Sequence, residues 1–196
     1  MTEQSPAPIL LFHNWLAEAR ISEINDPDAA CVATVDENGM PNARMVLVRH
    51  IDERGFAFFT NYNSRKGREL TGQPKAALCF HWKSLQRQVR VQGLVKKTAA
   101  AEADDYFNSR HRSSRIGAWA SEQSSVLPDR ETLEARVAEF EKKFTGVENI
   151  PRPDYWSGFR VVPSRIEFWQ QMDFRLHDRL VYTKQGDTWT TERLYP

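Results

Sequence analysis

The sequence predicts a mainly β protein with added helices, whose short antiparallel strands close into a barrel or roll. Short apolar segments, rich in β-branched and aromatic residues, are separated by turn signals such as Asn38-Gly39. The connections between the first segments are too short to cross over between parallel strands. A series of short antiparallel strands tends to close into a barrel or roll.

Composition and charge fit one globular domain. The chain has 196 residues, of which 40% are apolar and 27% charged, and 27 basic residues nearly balance 26 acidic ones. A general nucleic-acid binder usually carries a larger basic excess. No apolar run reaches the about 18 residues that span a bilayer, and the N-terminus lacks a signal-peptide pattern. We therefore expect a cytoplasmic protein with a mobile segment over residues 1–8, a single domain over residues 9–196, and no nucleic-acid or membrane partner.

The two cysteines give no sign of a metal site. Cys31 and Cys79 each lie in an apolar run, which favours a small buried hydrophobe over a disulfide. The sequence has no Cys-x-x-Cys motif and no histidine pair at ligand spacing, so no metal is expected.

The first half of the chain predicts one helix followed by five strands. Phe12, Trp15, Leu16 and Ala19 recur at helical spacing, which indicates an amphipathic helix starting at Ile9. Five β-prone segments then predict strands over residues 30–35, 44–49, 56–60, 76–82 and 88–95. Short turns join the first three strands, so they form an antiparallel meander.

A cationic pair stands at the start of the next predicted helix. The strand pattern breaks after Thr60, and a short helix is expected to begin near Ser64. Arg65 and Lys66 in its first turn oppose the helix dipole. A bound anion would relieve this conflict, because free N–H groups at a helix N-terminus also favour anions. The alternative is two solvated cations on a loop.

A second cationic segment follows the helix predicted from Thr98. Residues 109–115 hold four basic-type side chains and three hydroxyl groups. They fit either a solvated loop or a phosphate cradle, since arginine and serine supply convergent donors. A small-residue helix is predicted over residues 116–121. The clearest helix covers residues 129–144, and its apolar stripe is expected to make core contacts: Leu133, Val137, Phe140 and Phe144.

The C-terminal part predicts strands over residues 159–162, 165–169, 179–183 and 189–194. If residues 168–179 are strand-like, Arg175, His177 and Arg179 alternate onto one face. They then form either a solvated edge with a salt bridge to Asp178, or an anion or cofactor site beside the indole of Trp169.

Taken together, these segments resemble the pyridoxine (pyridoxamine) 5′-phosphate oxidase family over almost the whole chain. The motifs that carry the resemblance, in order, are Arg44-Met45-Val46-Leu47, Phe59-Thr60-Asn61, Ser64-Arg65-Lys66-Gly67, Arg87-Gln88-Val89, Tyr106-Phe107, Ser109-Arg110, Ile116-Gly117-Ala118-Trp119, Gln123-Ser124, Ile166-Glu167-Phe168-Trp169, Arg175-Leu176-His177-Asp178-Arg179 and Arg193-Leu194-Tyr195-Pro196. The resemblance implies an FMN-binding split β-barrel, antiparallel and Greek-key-like, that forms a homodimer with FMN between the subunits. It also implies oxidation of pyridoxine or pyridoxamine 5′-phosphate to pyridoxal 5′-phosphate, with hydride passing to flavin N5 and O2 giving H2O2.

The resemblance also implies roles for individual residues. The cofactor set is Arg44, Met45, Val46, Leu47, Val48, Arg49, Phe59, Thr60, Arg65, Lys66, Gln88, Gln123, Ser124, Trp169 and Arg179. The substrate set is Arg49, Tyr106, Arg110, Ser114, Arg175, Leu176 and His177. Within it, Tyr106, Arg110 and Ser114 would surround the substrate phosphate with Arg49. Arg175 and His177 would act over the ring as the catalytic pair, mainly by orienting it for hydride transfer.

The chain departs from the family pattern at three places. Arg49 replaces the common lysine, which exchanges a point charge for a planar fork. Gln171 and Met172 replace two glycines, so the loop before Arg175 is expected to be less permissive in φ. Many members have a longer N-terminal arm over the site, so closure over the substrate is expected to differ here. Two alternatives stay open: a related split-barrel flavin oxidase acting on another ring, such as a phenazine precursor, and an FMN- or pyridoxal-phosphate-binding protein without turnover.

Overall fold

The structure, a computed structural model, describes residues 7–196 and consists of eight strands and five α-helices. The helices are α1 (Pro8–Ser22), α2 (Arg65–Gly72), α3 (Ala100–Ser109), α4 (Arg112–Ala120) and α5 (Arg130–Lys143). The strands are β1 (Ala29–Val35), β2 (Pro41–Asp52), β3 (Gly55–Asn61), β4 (Lys75–Trp82), β5 (Arg87–Lys97), β6 (Trp156–Gln170), β7 (Asp178–Gln185) and β8 (Thr188–Arg193).

Six of the strands close into an antiparallel barrel. Their order is β3-β2-β1-β4-β5-β6, and β3 pairs with β6 to complete the ring. The closing pair runs from Phe56 opposite Val161 to Asn61 opposite Trp156. Strands β7 and β8 continue the sheet outward from β6. The predicted mainly β barrel with added helices is therefore confirmed.

Helix α1 closes one end of the barrel core. Its Phe12 is fully buried and contacts Phe56 and Phe80 edge-on, each with ring centroids 4.9 Å apart. Leu16 and Ala19 are buried on the same face of the helix, as its spacing predicts. Truncating a buried phenylalanine of this kind costs about 3–5 kcal/mol of unfolding free energy, so α1 is an integral part of the core.

Two predicted C-terminal strands are in fact one. Residues 159–162 and 165–169 both belong to β6, which continues through Pro163. The register of the β5–β6 pairing shifts at this proline. Proline cannot donate a ladder hydrogen bond, and a bulge accommodates it. The chains approach closely there: a Cβ on Gly93 would lie 1.9 Å from the carbonyl oxygen of Val162.

The strand-like interpretation of residues 168–179 is wrong for its central part. Strand β6 ends at Gln170, a short 3₁₀ turn covers Asp173–Arg175, and β7 begins only at Asp178. Phe174 and Arg175 have φ of 56° and 63°, in the left-handed region. The chain reverses direction here, so Arg175 and His177 do not alternate along a strand with Arg179. The partner of Asp178 is Arg193.

The second half of the chain builds a smaller apolar cluster between α4 and α5. Ile116, Phe144 and Ile150 are buried in it, and Val137 and Phe140 pack against it. Val137, Phe140 and Phe144 of the stripe predicted on residues 129–144 therefore make core contacts, whereas Leu133 is not part of this cluster.

The structure also bears on three smaller expectations, which concern the N-terminal segment, the two cysteines and membrane-spanning helices. Of the segment expected to be mobile, residues 1–8, only Ala7 and Pro8 fall within the described residues, and Pro8 is the first residue of α1. Cys31 and Cys79 are free and half-buried, and they face each other across β1 and β4. The preference for free thiols over a disulfide is confirmed, but the burial is only partial, because the alternate residues of both strands, such as Val32 and Leu78, occupy the core face. No helix within residues 7–196 is long and apolar enough to cross a membrane.

Candidate functional site

A cavity of about 820 Å³ opens between the barrel wall and helices α2, α3 and α4. A volume of this size is within the range of small-molecule sites. Most of the predicted cofactor residues of the first two-thirds of the chain line it, together with three predicted substrate residues. These are Arg44, Met45, Val46, Leu47, Phe59, Thr60, Arg65, Lys66, Gln123 and Ser124, with Tyr106, Arg110 and Ser114.

One end of the cavity is formed by the N-terminus of α2. Ser64 caps the helix, because its hydroxyl accepts a hydrogen bond from Gly67 N at 3.2 Å. The first turn carries Arg65 and Lys66 and no acidic residue. The predicted conflict with the helix dipole is therefore present in the structure. Arg65 and Lys66 lie at the wall of a cavity that is large enough for an anionic ligand.

Lys66 is held inside this wall. Its side chain is 9% exposed, and Nζ donates to Gln123 Oε1 at 3.1 Å. Thr60 donates to the same oxygen, also at 3.1 Å. Burial, reinforced by the nearby charge of Arg44, lowers the pKa of Lys66 to about 8 although Glu69 opposes the shift. A bound anion would raise this pKa again, because opposite charge favours the protonated form.

The other end of the cavity is aromatic. The rings of Phe59 and Tyr106 are stacked with centroids 4.4 Å apart, and Trp156 lies almost parallel to Phe59 at 5.8 Å and 11°. Trp156 was not among the predicted site residues; only its aromatic character could have drawn attention to it, since it lies at the start of a strand after a proline connector.

Arg110 is the cation of this aromatic end. Its guanidinium lies 4.8 Å from the centroid of the Trp156 ring. Its Nη1 is buried and has no hydrogen-bond partner within residues 7–196. Burial lowers the pKa of Arg110, and the neighbouring Tyr106 opposes that shift. A buried guanidinium nitrogen without an acceptor is costly, so it suits an anionic oxygen supplied by a ligand.

The other cations of residues 109–115 have different surroundings. Arg112 donates to the backbone oxygens of Phe144 and Val147, both at 2.6 Å, and so ties the end of α5 to α4. His111 caps α4 by accepting from Ser113 N at 3.3 Å. Of the residues in the cradle hypothesis, Arg110 and Ser114 therefore line the cavity, whereas Arg112 and His111 serve structural contacts.

The remaining predicted residues do not line this cavity in the described chain. Val48 points into the barrel core, and Arg49 pairs with Asp28 at 3.4 Å. The others lie on or beside the outer surface of β5, β6 and β7, which we call the outer cluster: Gln88, Trp169, Arg175, Leu176, His177 and Arg179.

The outer cluster is ordered by its own contacts. Gln88 faces Trp169 across β5 and β6, and the Trp169 ring lies 4.7 Å from that of His177. His177 Nδ1 accepts a hydrogen bond from Met172 N at 3.2 Å. Arg179 donates through Nε to Glu167 at 2.9 Å.

Further lining residues of the cavity were not predicted, because their side chains are small or ordinary in the sequence: Asn42, Ala43, Asn61, Gly117, Ala118 and Ser121.

The fold is a closed six-strand barrel, and its cavity carries two cationic groups and an aromatic wall. These features define a split-barrel protein suited to flat, anionic ligands. Comparison with known proteins narrows this class. Residues 16–144 match the family described as pyridoxamine 5′-phosphate oxidase, and residues 156–196 match the pyridoxine 5′-phosphate oxidase C-terminal dimerisation region. The chain therefore belongs to the pyridoxamine 5′-phosphate oxidase family.

Individual relatives agree with this assignment. The pyridoxine/pyridoxamine 5′-phosphate oxidase of Brucella anthropi is 56% identical, over 98% of this chain and 96% of its own length. PhzG from Burkholderia lata 383, solved in complex with tetrahydrophenazine-1-carboxylic acid, is 35% identical with a TM-score of 0.92, over 99% of this chain and 95% of that one. A pyridoxamine 5′-phosphate oxidase-related, FMN binding protein from Nostoc punctiforme shares the fold, with 16% identity and a TM-score of 0.78 over 98% and 100% of the two chains.

The predicted family, the split-barrel fold and the class of enzyme, an FMN-dependent oxidoreductase, are thereby confirmed. The match to a dimerisation region supports the predicted homodimer.

Proposed function

We propose that this protein oxidises pyridoxine 5′-phosphate or pyridoxamine 5′-phosphate to pyridoxal 5′-phosphate. The observation that carries the proposal is that one cavity holds two groups of cations on different elements: Arg44 and Arg65, joined through Glu69, with Lys66, and Arg110 on the ring of Trp156. Two such groups suit two phosphate esters, one of the cofactor and one of the substrate. The 56% identity to a relative named as this oxidase supports the same substrate.

The residues at the α2 end fit the phosphate of FMN. Arg65 and Lys66 would supply its charge, Thr60 and Gln123 would hold Lys66, and Ser124 would add a hydroxyl donor. The backbone of residues 44–48 would bond the polar edge of the flavin, a role that is compatible with the buried side chain of Val48. Bound FMN supplies a hydride acceptor at N5, and O2 restores it with release of H2O2.

The residues at the aromatic end fit a monoester phosphate. Arg110 would use its unpartnered nitrogen, and Tyr106 and Ser114 would add hydroxyl groups. Stacking of Arg110 on Trp156 limits its freedom, so less rotamer entropy is lost when the phosphate binds. A neutral ring without an anionic group would leave this guanidinium less completely satisfied.

The outer cluster would act in the second subunit's site. Gln88, Trp169 and Arg179 would complete the FMN pocket of the partner, and Arg175 with Leu176 and His177 would cover the substrate ring, near Arg49. Because a two-fold dimer repeats every contact, each chain would give its outer cluster and receive the other's. FMN would then lie between the subunits, and the catalytic work of Arg175 and His177 would be orientation of the ring.

A second candidate is a flavin oxidase acting on a phenazine precursor. The observation that favours it is the 35% identity and TM-score of 0.92 to PhzG, whose structure holds tetrahydrophenazine-1-carboxylic acid. The cationic Arg110 in its cradle with Ser114 favours the phosphorylated substrate instead.

The deciding experiment is an anaerobic half-reaction. The purified protein with FMN is mixed with pyridoxine 5′-phosphate, with pyridoxamine 5′-phosphate or with a dihydrophenazine carboxylic acid, and flavin absorbance is followed at about 450 nm. We expect bleaching with the first two, recovery in air and formation of pyridoxal 5′-phosphate. Bleaching with the phenazine alone would favour the second candidate, and no bleaching with any of them would reduce the protein to a binding role.

A further inference from the structure

A buried carboxylate lies directly behind the cavity wall. Glu69, in the second turn of α2, has a side chain only 4% exposed. Each of its oxygens accepts two hydrogen bonds. Oε1 is bonded by Asn42 Nδ2 and Arg65 Nε, both at 3.0 Å, and Oε2 by Thr34 Oγ1 at 2.5 Å and Arg44 Nη2 at 2.8 Å.

Three of these four donors, Asn42, Arg44 and Arg65, line the cavity, and two of them are cationic. Arg44 and Arg65 both line it, from β2 and α2 respectively. Arg44 is held at three points, since it also donates to Thr34 Oγ1 and to Val32 O. Arg65 is half-exposed and is bonded through Nε, which is one of its five N–H donors. The carboxylate therefore fixes two long side chains that would otherwise sample many rotamers.

The negative charge of Glu69 is unfavourable beside a site that binds an anion. A negative charge behind Arg44 and Arg65 cancels part of the field that attracts a phosphate. Burial works against the ionised carboxylate, but hydrogen bonds from Thr34, Asn42, Arg44 and Arg65 outweigh it and lower the pKa of Glu69 to about 2. The site thus keeps a full negative charge near its cations at every physiological pH. This charge weakens the attraction for a phosphate, and the fixed orientation of Arg44 and Arg65 can offset that loss.

We propose that Glu69 is a positioning residue that aims Arg44 and Arg65 at the phosphate of the bound flavin nucleotide. The inference rests on the proposed placement of FMN in this cavity. Thr34 and Asn42 belong to the same device, because they satisfy the remaining lone pairs of the carboxylate and so fix its own orientation.

The test compares two ligands that differ only in the phosphate. Full-length protein freed of flavin is titrated with FMN and with riboflavin, by quenching of flavin fluorescence, for the wild type and for Glu69→Gln. The amide keeps the shape of the side chain but cannot accept from all four donors. We expect FMN affinity to fall about tenfold, as for lost charge-assisted hydrogen bonds, while riboflavin affinity stays unchanged.

Two other outcomes would overturn the role. Tighter FMN binding in Glu69→Gln would mean that the carboxylate acts only as a repelling charge. Equal weakening of FMN and riboflavin, together with a lower melting temperature, would mean that it only stabilises the fold. The matched control is Glu102→Gln, another mostly buried carboxylate bound to an arginine, Arg160, outside the cavity lining. It should lower stability and leave the ratio of the two affinities unchanged.

A second variant keeps the test decisive if Glu69→Gln does not fold. Thr34→Val preserves the charge of Glu69 and removes the hydroxyl that links it to Arg44. It should change the affinity ratio in the same direction by a smaller factor, and an unchanged ratio would count against the proposal. Wild-type protein that binds FMN no better than riboflavin would instead refute the phosphate site itself, and with it the proposed function.

Discussion

The cavity wall and the outer cluster differ in how completely one chain builds them. The wall unites β2, α2, α3 and α4 around a single space, and each of the four cations it carries within residues 7–196 has a defined place: Lys66 on Gln123, Arg110 on Trp156, and both Arg44 and Arg65 on Glu69. The outer cluster is equally well ordered, through the contacts of Trp169 with His177 and of Arg179 with Glu167, but its residues do not line that space.

The contrast indicates that the two regions have different roles, one in phosphate binding and the other in turnover. Charge for phosphate groups is assembled within the fold, where helix ends and buried acceptors can hold it. The groups expected to act over the reacting ring stand on an exposed turn whose φ values at Phe174 and Arg175 are unusual for non-glycine residues. A second subunit can bring such a turn onto the cavity, so binding and turnover should be separable by mutation.

The largest effect is expected at the outer cluster. Arg175→Ala should keep FMN bound and lower kcat by about 100-fold, because the substrate ring loses its orientation over the flavin. Steady-state kinetics with flavin content measured on the same sample checks this. Arg193→Ala, which removes an exposed arginine bonded to Asp178 close by, serves as control and should keep activity. Full activity in Arg175→Ala would refute the role assigned to Arg175.

A smaller effect, confined to substrate binding, is expected at the cavity wall. Arg110→Ala should raise KM for the phosphorylated substrate by about 30-fold, the value of a lost hydrogen bond to a charged group. FMN affinity should be unchanged, since Arg110 lies at the aromatic end. Inhibition of the wild type by inorganic phosphate, absent in the variant, provides an independent measurement. A parallel loss of FMN would show that the two ends do not act separately.

Mixing these two variants tests whether the regions meet across subunits. If the outer cluster serves the partner's cavity, a hybrid dimer of Arg175→Ala and Arg110→Ala chains has one intact site and one doubly altered site. Equal mixing after mild dissociation and reassembly should therefore restore about a quarter of wild-type activity, when substrate is kept well below the wild-type KM so that Arg110→Ala homodimers contribute little. No recovery, with hybrids verified by differently tagged chains, would place both regions in the same subunit's site.

The smallest effect concerns pH and Lys66. The pKa of about 8 means that free protein loses the ammonium charge as pH rises through 8. A phosphate needs that charge, so FMN affinity should fall about fivefold between pH 8 and pH 9. Lys66→Arg, which stays charged, should flatten the profile. A flat profile in the wild type would contradict the predicted contact of Lys66 with the phosphate.

Stability of the flavin-free protein should move in the opposite direction. The unfolded chain keeps Lys66 protonated up to its ordinary pKa of 10.5, whereas the folded chain releases the proton at about 8. Between these values the unfolded state binds more protons, so the contribution of Lys66 to the free energy of unfolding rises with pH. Chemical denaturation at pH 8 and pH 10 checks the sign, with Lys66→Arg as the control.

Local patterns in the sequence determined most of the elements. Asn38-Gly39 predicted the first hairpin, and Gly39 has the positive φ of 82° that such a turn needs. The spacing of Phe12, Leu16 and Ala19 predicted the buried face of α1. Arg65 and Lys66 indicated either an anion site or two solvated cations, because a conflict with the helix dipole is visible in a few consecutive residues. These features depend on neighbours in the chain, so a single sequence contains them.

Only the tertiary structure decided which distant residues meet. Pairing of β3 with β6 joins residues about 100 positions apart and brings Trp156 beside Phe59 and Arg110. The packing of α2 against β1 lets Glu69 collect donors from β1 and β2, and Arg179 lies on the outer surface, bonded to Glu167. Such contacts arise from strand register and barrel closure, which depend on the packing of the whole core and leave no periodic signal along the chain.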